Sequence, residues 1–178
     1  MTLHPDLPSP ILRPLVAADA RIYFALRLGG LEESPLAFGR SAEEYRREPL
    51  ETVAAGLDER PGERVTFGAF LSGELVGVMT LLRDAGLKKR HKAVLIAVYV
   101  APAARGLGIG GQLLAALLDW AGAAPGLLQV RLSVSVTQTA ARRLYAAQGF
   151  RIYGLESRAL KVNGQDVDDE LMMRVLDK

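Results

Sequence analysis

Residues 93–100 and 127–134 form two strongly apolar segments, and the stretch between them has helical periodicity. Within that stretch Ile109, Leu113 and Leu117 recur at intervals of four positions, which is typical of an amphipathic helix. Segments that are apolar on both faces are typical of strands covered on each side. A strand–helix–strand crossover of this length predicts that the two strands are parallel neighbours in one sheet.

The segments before and after this crossover predict mainly antiparallel pairing. A hairpin is predicted over residues 65–82, with Ser72-Gly73-Glu74 as its turn, and Asn163-Gly164 marks a second turn. Thr137 is predicted to cap a second helix that ends at Gly149. The remaining expectations are a strand at 11–15, helices at 17–28, after Ser41 and at 50–57, a loop at 31–40, and closing strands at 150–155, 157–162 and 169–176.

Composition limits the classes of protein that this chain can belong to. With 178 residues and 49% hydrophobic content, a single domain over residues 1–178 is expected, with its core at about 11–176. A net charge of +2 gives no indication of nucleic-acid binding, and the absence of cysteine excludes disulfides and thiolate chemistry. The first ten residues do not resemble a signal peptide, and no apolar run is long enough for a membrane span. We therefore expect a cytoplasmic protein that does not bind membranes.

A glycine-rich loop joins the first apolar strand to the helix. Glycines at 106, 108, 110 and 111 leave backbone N–H groups free to converge at a helix N-terminus, which favours a phosphate-bearing ligand. The Gly-Lys-Ser/Thr ending of a nucleoside-triphosphate loop is missing. Gly106, Gly108 and Gly111 match the dinucleotide spacing, but about 100 residues precede them, and no acidic residue lies between Asp119 and Glu156 to bind a ribose.

Two motifs resemble the GCN5-related N-acetyltransferase (GNAT) family, in particular its small bacterial members. The first is Arg-x-x-Gly-x-Gly, formed by Arg105, Gly108 and Gly110 after a Val-x-Val-x-Pro strand. The second is Ala-x-x-Leu-Tyr-x-x-x-Gly-Phe over residues 141–150. The resemblance extends from about residue 11 to 175. It implies an α/β fold with a mixed, mostly antiparallel sheet, one splayed parallel pair, and helices on both faces.

The resemblance also implies the site and its co-substrate, acetyl-CoA. The glycine loop would hold the pyrophosphate, the strand around Val98 would bond the pantetheine arm, and a backbone N–H near Val98 would polarise the thioester carbonyl. Gln138 stands where the family often has asparagine, and the Tyr145 hydroxyl would protonate the departing thiolate as general acid. The cofactor-binding residues are thus Val98, Tyr99, Val100, Arg105, Gly106, Leu107, Gly108, Ile109, Gly110, Gly111, Gln138 and Tyr145.

The general base is not identified by the motifs. Some family members have a glutamate thirteen residues before the loop arginine, where this chain has Lys92. The adjacent His91 has a suitable intrinsic pKa, and Glu32, Glu33, Glu156 or a water chain are alternatives. Arg131, Arg142, Arg143 and Arg151 form a candidate basic face for the coenzyme A 3′-phosphate. No acidic or histidine cluster has the spacing of a metal site.

The resulting function is acetyl-CoA-dependent N-acetylation of a primary amine by direct attack in a ternary complex. The acceptor is a small-molecule amine or a protein amine, and its identity is open. Two alternatives are a non-catalytic acyl-CoA sensor on the same fold and an NADP-dependent oxidoreductase. Members of the family often form homodimers, although no segment of this sequence identifies an interface.

Overall fold

The computed structural model describes residues 9–58 and 60–176, so most of the proline-rich N-terminal segment lies outside the described residues. Within these ranges, seven strands form one mixed sheet in the order β1-β2-β3-β4-β5-β7-β6. Only β4 and β5 pair in parallel, and the other five neighbouring pairs are antiparallel. The predicted crossover is therefore confirmed. The strands are β1 Ile11–Pro14, β2 Arg64–Leu71, β3 Glu74–Arg83, β4 Lys92–Val100, β5 Gln129–Ser135, β6 Arg151–Val162 and β7 Gln165–Val175.

In the part of the chain that the structure describes, five α-helices cover the sheet, with bounds α1 Ala20–Glu33, α2 Ala42–Arg46, α3 Leu50–Leu57, α4 Ile109–Ala123 and α5 Thr139–Ala147. The first helix begins and ends later than predicted, because a 3-10 turn at Ala17–Asp19 precedes it and the helix continues to Glu33. A second 3-10 turn, Pro35–Ala37, occupies the predicted loop. The predicted capping box is present, since Ser41 and Glu44 exchange hydrogen bonds at the start of α2. None of the helices in the described ranges is long and apolar enough to span a bilayer.

Two tight turns close the hairpins where the sequence predicts them. Ser72 and Gly73 both have positive φ, 52° and 85°, and Asn163 and Gly164 have φ of 49° and 81°. These values are typical of the two-residue turns that match strand twist. The prediction of two separate strands after residue 150 is wrong, because β6 continues through the predicted break. The break is instead a bulge between Glu156 and Leu160.

A bulge in β4 separates the two parallel strands. Tyr99 pairs with Val78 and Ile96 with Thr80, so that Ala97 and its successor lie opposite a single residue of β3. Ala97 has a φ of +54°, which side chains with a Cβ rarely adopt. The parallel pairing with β5 covers only residues 92–94 of β4, so it ends before the bulge, and the rest of β4 does not follow β5. The predicted splay is therefore present, and it opens a gap inside the sheet.

The sheet has a separate apolar core on each face. The larger core packs α4 and α5 against the sheet and includes Leu113, Val130 and Tyr145. The smaller core packs α1 and α3 on the opposite face and includes Leu15 and Tyr99. We refer to these two faces as the α4 face and the α1 face. The gap between β4 and β5 connects them.

Candidate active site

A cleft of about 550 Å³ lies where β4 and β5 diverge. Its walls come from both faces of the sheet, because the 3-10 turn after α1 contributes on one side and the ends of α4 and α5 contribute on the other. The residues that line it are Ser34, Ala37, Phe38, Met79, Leu95, Ile96, Ala97, Val98, Tyr99, Val100, Ala104, Arg105, Gly106, Gly108, Ile109, Gly110, Gly111, Ser133, Val134, Gln138, Ala140, Ala141, Leu144 and Tyr145. This set contains eleven of the twelve predicted cofactor-binding residues; the exception is Leu107.

The glycine loop forms one end of the cleft. Gly106 and Gly108 have φ of +78° and +75°, and Gly108 is the N-cap residue of α4. No described backbone carbonyl accepts a hydrogen bond from the N–H groups of residues 106–111, and the first bond of the helix runs from Gln112 to Gly108. Free N–H groups at the positive end of a helix dipole form an anion-binding site. The loop therefore has the donors that a pyrophosphate requires.

The Arg105 side chain points away from the glycines and toward α1. Its two terminal nitrogens donate to the Glu33 carboxylate at 2.9 and 2.7 Å, and its Nε donates to the Val100 carbonyl at 3.0 Å. The Tyr99 hydroxyl donates to the same carboxylate at 2.7 Å. Arg105 holds the pKa of Glu33 below its ordinary value, so Glu33 is an ionised anchor. This network ties the end of α1 to β4 and to the start of the glycine loop.

Tyr145 is buried between the cleft and the larger core. Only 4% of the residue is exposed, and its ring packs against Phe150 with centroids 5.9 Å apart. Gly149 has a φ of +80°, which allows the chain to turn after α5 and to place Phe150 there. Burial raises the pKa of Tyr145, and no hydrogen bond to a described residue contributes to the shift. The phenol is therefore protonated at neutral pH and can donate its proton to a group in the cleft.

Gln138 lies on the cleft wall at the N-terminus of α5. The prediction that Thr137 caps this helix is wrong, because Gln138 occupies the N-cap position and makes no side-chain cap bond. The Thr137 hydroxyl instead pairs with Ser135 Oγ at 2.8 Å. Gln138 Nε2 donates to Thr137 Oγ1 at 3.4 Å, which leaves the amide at the surface of the cleft.

His91 and Leu107 do not line the cleft. His91 is exposed and directly precedes β4, at the end where that strand still pairs with β5. Its carbonyl accepts hydrogen bonds from the N–H groups of Leu128 and Gln129. The cleft begins three residues into β4, at Leu95, and extends away from His91. The structure therefore does not bring the predicted histidine base to the other site residues.

The predicted basic face is partly neutralised by ion pairs. Arg131 donates to Asp84 at 2.7 Å, and Arg142 binds both carboxylate oxygens of Glu170. Arg143 and Arg151 are exposed. Of the four arginines predicted to bind the coenzyme A 3′-phosphate, only these two therefore remain candidates among the described residues.

Two buried charged residues near the cleft were not identified from the sequence. Arg27 in α1 is 9% exposed, and its guanidinium lies 4.3 Å from the ring centre of Phe38, which lines the cleft. Asp169 in β7 is 8% exposed. Each has one buried polar atom, Arg27 Nη1 and Asp169 Oδ1, without a hydrogen-bond partner among the described residues. The signal for Arg27 is its position on the buried stripe of α1 with Ala20 and Leu31.

The chain matches the Acetyltransferase (GNAT) family over residues 31–150. Its structure is similar to that of a GNAT-family acetyltransferase from Streptococcus pneumoniae, with 24% identity, a TM-score of 0.79, and coverage of 94% of this chain and 99% of the other. It is also similar to yncA from Salmonella typhimurium, whose structure contains its cofactor acetyl-CoA, with 20% identity, a TM-score of 0.83 and 96% coverage of both chains.

A third similar structure is the ribosomal-protein-alanine N-acetyltransferase from Brucella melitensis. It has 23% identity, a TM-score of 0.74, and coverage of 93% of this chain and 99% of the other. At these identities the three structures establish the shared fold.

Proposed function

The chain belongs to the acetyltransferase (GNAT) family, and we propose that it transfers an acetyl group from acetyl-CoA to a primary amine while both substrates are bound. Family membership makes the protein an acyltransferase with acetyl-CoA as its co-substrate, and it removes the nicotinamide-dependent oxidoreductase from consideration. The amine as acceptor, the direct attack and the roles of individual residues are the proposed part.

The observation that carries the proposal is that the cleft connects the two faces of the sheet. Ile109 and Tyr145 line it from the α4 face, and Phe38 lines it from the α1 side. An acyl donor held by the glycine loop and an acceptor entering from the α1 face would therefore meet at the gap between β4 and β5. Such an arrangement brings two reactants together without a covalent enzyme intermediate.

The residues of the cleft fit acetyl-CoA. The loop at 106–111 has unpaired N–H donors for a pyrophosphate, and beyond residue 94 the edge of β4 is no longer paired with β5. Backbone groups around Val98 and Val100 could bond an extended pantetheine arm as a strand would. The Val100 carbonyl already accepts a bond from Arg105, so Arg105 would position this edge rather than bind phosphate directly. Bound acetyl-CoA would supply the activated thioester.

The chain's own residues then have two tasks. A backbone N–H near Val98 would donate to the thioester oxygen, where negative charge develops, and preorganised donors of this kind lower barriers by about 3–4 kcal/mol. The Tyr145 hydroxyl would give its proton to the departing sulfur. Since the sequence contains no cysteine, it offers no thiol to carry the acetyl group itself.

The proposal is tested by incubating the protein with acetyl-CoA and a panel of primary amines. Free thiol is measured continuously, and the acetylated amine is identified by mass spectrometry. We expect thiol release that depends on at least one amine and matches the acetamide formed. Binding of acetyl-CoA without transfer to any amine would instead indicate the non-catalytic acyl-CoA sensor.

A further inference from the structure

The α1 side of the cleft contains a buried cation without an anionic partner. Arg27 is more than nine-tenths buried, and no described residue accepts a hydrogen bond from its Nη1. The groups that act on it are Tyr23, Tyr45 and Arg40, and none of them is a carboxylate. The Tyr45 hydroxyl is also buried without a partner. A buried guanidinium and a buried phenol therefore both lack an acceptor in the same part of the molecule.

Asp169, on β7, is a buried anion without a cationic partner among the described residues. Asp169 pairs across the sheet with Ser135 of β5 and with Glu156 of β6. The other charged groups that act on it are Glu156 and Asp168, both carboxylates, and Ser133 acts as a hydrogen-bond donor. Burial raises the pKa of Asp169. No described lysine or arginine forms an ion pair with it.

Both groups lie on the same face of the sheet. Glu170 and Met172, the neighbours of Asp169 along β7 that face the other way, contact Arg142 of α5 and the larger core. Because side chains alternate along a strand, Asp169 points to the α1 face. The 3-10 turn Pro35–Ala37 contacts β5 and β6 there and joins α1 to this part of the sheet.

Each charge is one side chain away from the cleft. Arg27 stacks on Phe38, and Asp169 neighbours Ser133; both Phe38 and Ser133 line the cleft. An acceptor that displaces the Phe38 ring would therefore reach the guanidinium, and one that passes Ser133 would reach the carboxylate. The two uncompensated charges have opposite signs, which specifies a ligand that is itself a zwitterion.

We propose that the acceptor is a small amino acid-type molecule, whose carboxylate binds Arg27 and the Tyr45 hydroxyl and whose ammonium binds Asp169. This inference rests on the proposed function. A carboxylate fits better than a phosphate dianion because Arg27 and the Tyr45 phenol supply one unpaired positive charge and a small number of donors, and the neighbouring Arg40 is already paired with Glu48.

In this proposal Asp169 also accepts the proton that the ammonium must lose before the amine can attack. In the proposed step the ammonium gives one proton to the Asp169 carboxylate, and the freed nitrogen lone pair forms the bond to the acetyl carbon. The carbon–sulfur bond breaks, and the sulfur takes the Tyr145 proton. The second amine proton passes to solvent. Asp169 then loses its proton to solvent and Tyr145 regains one from solvent, so that one proton is released overall.

The test compares amino acids with their decarboxylated amines, for example phenylalanine with phenethylamine and lysine with cadaverine, together with a dipeptide amide. The wild-type protein is expected to prefer the amino acids in kcat/KM by roughly 100-fold. Arg27→Met is expected to bring this ratio close to 1, and Tyr45→Phe to reduce it about tenfold. Arg21→Met, an exposed arginine of the same helix, is the matched control.

Asp169→Asn addresses the ammonium end. It is expected to lower kcat for every acceptor by about 100-fold, with an unchanged KM for acetyl-CoA. The deficit should shrink as pH rises, because more of the amine is already neutral. Glu156 and Asp168, the carboxylates that act electrostatically on Asp169, are unchanged in this variant. Asp166→Asn, which removes an exposed carboxylate from the same strand, is the control.

The outcomes separate the two claims. If the wild-type protein acetylates no amine, the proposed function fails. If it acetylates amines but prefers the decarboxylated compounds or the dipeptide amide, or if Arg27→Met leaves the preference unchanged, the zwitterion inference is overturned. Urea unfolding of each variant identifies loss of folding; because both substitutions remove an unpaired buried charge, stability is expected to be equal or higher.

Discussion

At the residue scale, the raised pKa of Tyr145 comes from the burial of its hydroxyl without a polar partner among the described residues. Its hydroxyl has no hydrogen bond to a described residue, so its pKa is raised by desolvation alone. A phenol in this state retains its proton until an anion forms beside it. The departing thiolate is such an anion, and the sequence motif and the position of Tyr145 in the cleft wall both favour this role.

Replacing Tyr145 by phenylalanine tests that role. Because the ring still fills its site and no bond is lost, folding stability and the Kd for acetyl-CoA should stay close to wild type. The kcat should fall by roughly 100-fold, the lower range for loss of a general acid. Tyr153→Phe, at an exposed tyrosine of β6, is the control. An unchanged kcat in Tyr145→Phe would remove the tyrosine from the mechanism.

Asp19 provides a pH-dependent contribution to stability. Its carboxylate accepts hydrogen bonds from both terminal nitrogens of Arg13, at 2.7 and 2.8 Å, and from the Val16 N–H at 2.9 Å. Arg13 therefore holds the pKa of Asp19 below its ordinary value. The contribution is complete above the unfolded pKa of about 3.9 and is lost as pH falls through the lower folded value.

Asp19→Asn should accordingly lower the urea midpoint at pH 7 and have a much smaller effect near pH 2, where the wild-type carboxyl is also protonated. Asp119→Asn, at an exposed position of α4, should change neither midpoint appreciably. An equal loss at both pH values would mean that the interaction with Arg13 does not depend on the charge of Asp19.

The acid and the arginine at the α1 side of the cleft show why parts of the site could not be predicted from sequence. Asp169 lies in an acidic stretch, Asp166 to Glu170, whose composition is typical of an exposed turn. Its burial depends on β6 and β5 pairing on both sides, which is a long-range property. Arg27 is one charged position on an otherwise apolar stripe, and long cationic side chains usually reach solvent from such positions.

At the scale of elements, the start of α4 combines helix formation with ligand binding. Gly111 has ordinary helical φ, and a Cβ there would meet Leu144 Cδ1 at 3.9 Å, which is a normal contact. A glycine here therefore lowers helix stability relative to alanine, although the backbone conformation does not require it. We attribute the glycine to ligand binding: Gly111 lines the cleft, and without a side chain its backbone can approach a phosphate more closely.

Gly111→Ala should therefore stabilise the protein by about 0.5–1 kcal/mol and weaken acetyl-CoA binding. Gly122→Ala, near the other end of α4, has open space around its added Cβ and should give the same stabilisation without any effect on binding. Urea unfolding and equilibrium titration with acetyl-CoA measure the two effects. Tighter or equal binding by Gly111→Ala would contradict the placement of the ligand at this loop.

The predictions of helices and strands are correct where local sequence patterns determine the conformation. Alternating apolar residues and two-residue turn signals predict both hairpins, and the spacing of leucines predicts α4. The splay of β4 from β5 was expected only from the family resemblance, and the bulge at Ala97 has no local sequence signal, since alanine has no turn propensity and takes its positive φ here from the surrounding sheet. The break predicted in β6 is wrong because Arg158, also at positive φ, is held by a bond from its N–H to Asp168 Oδ1 at 2.7 Å.

At the scale of the whole molecule, the proposed function places the two substrates on opposite faces of the sheet. The crossover from β4 through α4 to β5 was predicted from apolar patterning, and this crossover places the glycine loop at the mouth of the gap. In the proposed site, the acceptor would be selected by contacts between α1, the 3-10 turn after it, and the strands β5 to β7. These segments are distant in sequence, which explains why the co-substrate is predicted from motifs and the acceptor is not.

The most direct test of transfer within this cleft measures the initial rate of thiol release while the concentrations of acetyl-CoA and of an acceptor amine are both varied. Direct attack in a ternary complex predicts reciprocal plots that intersect, and one acetamide formed for each thiol released. Parallel plots, or thiol release at the same rate without the amine, would contradict the account.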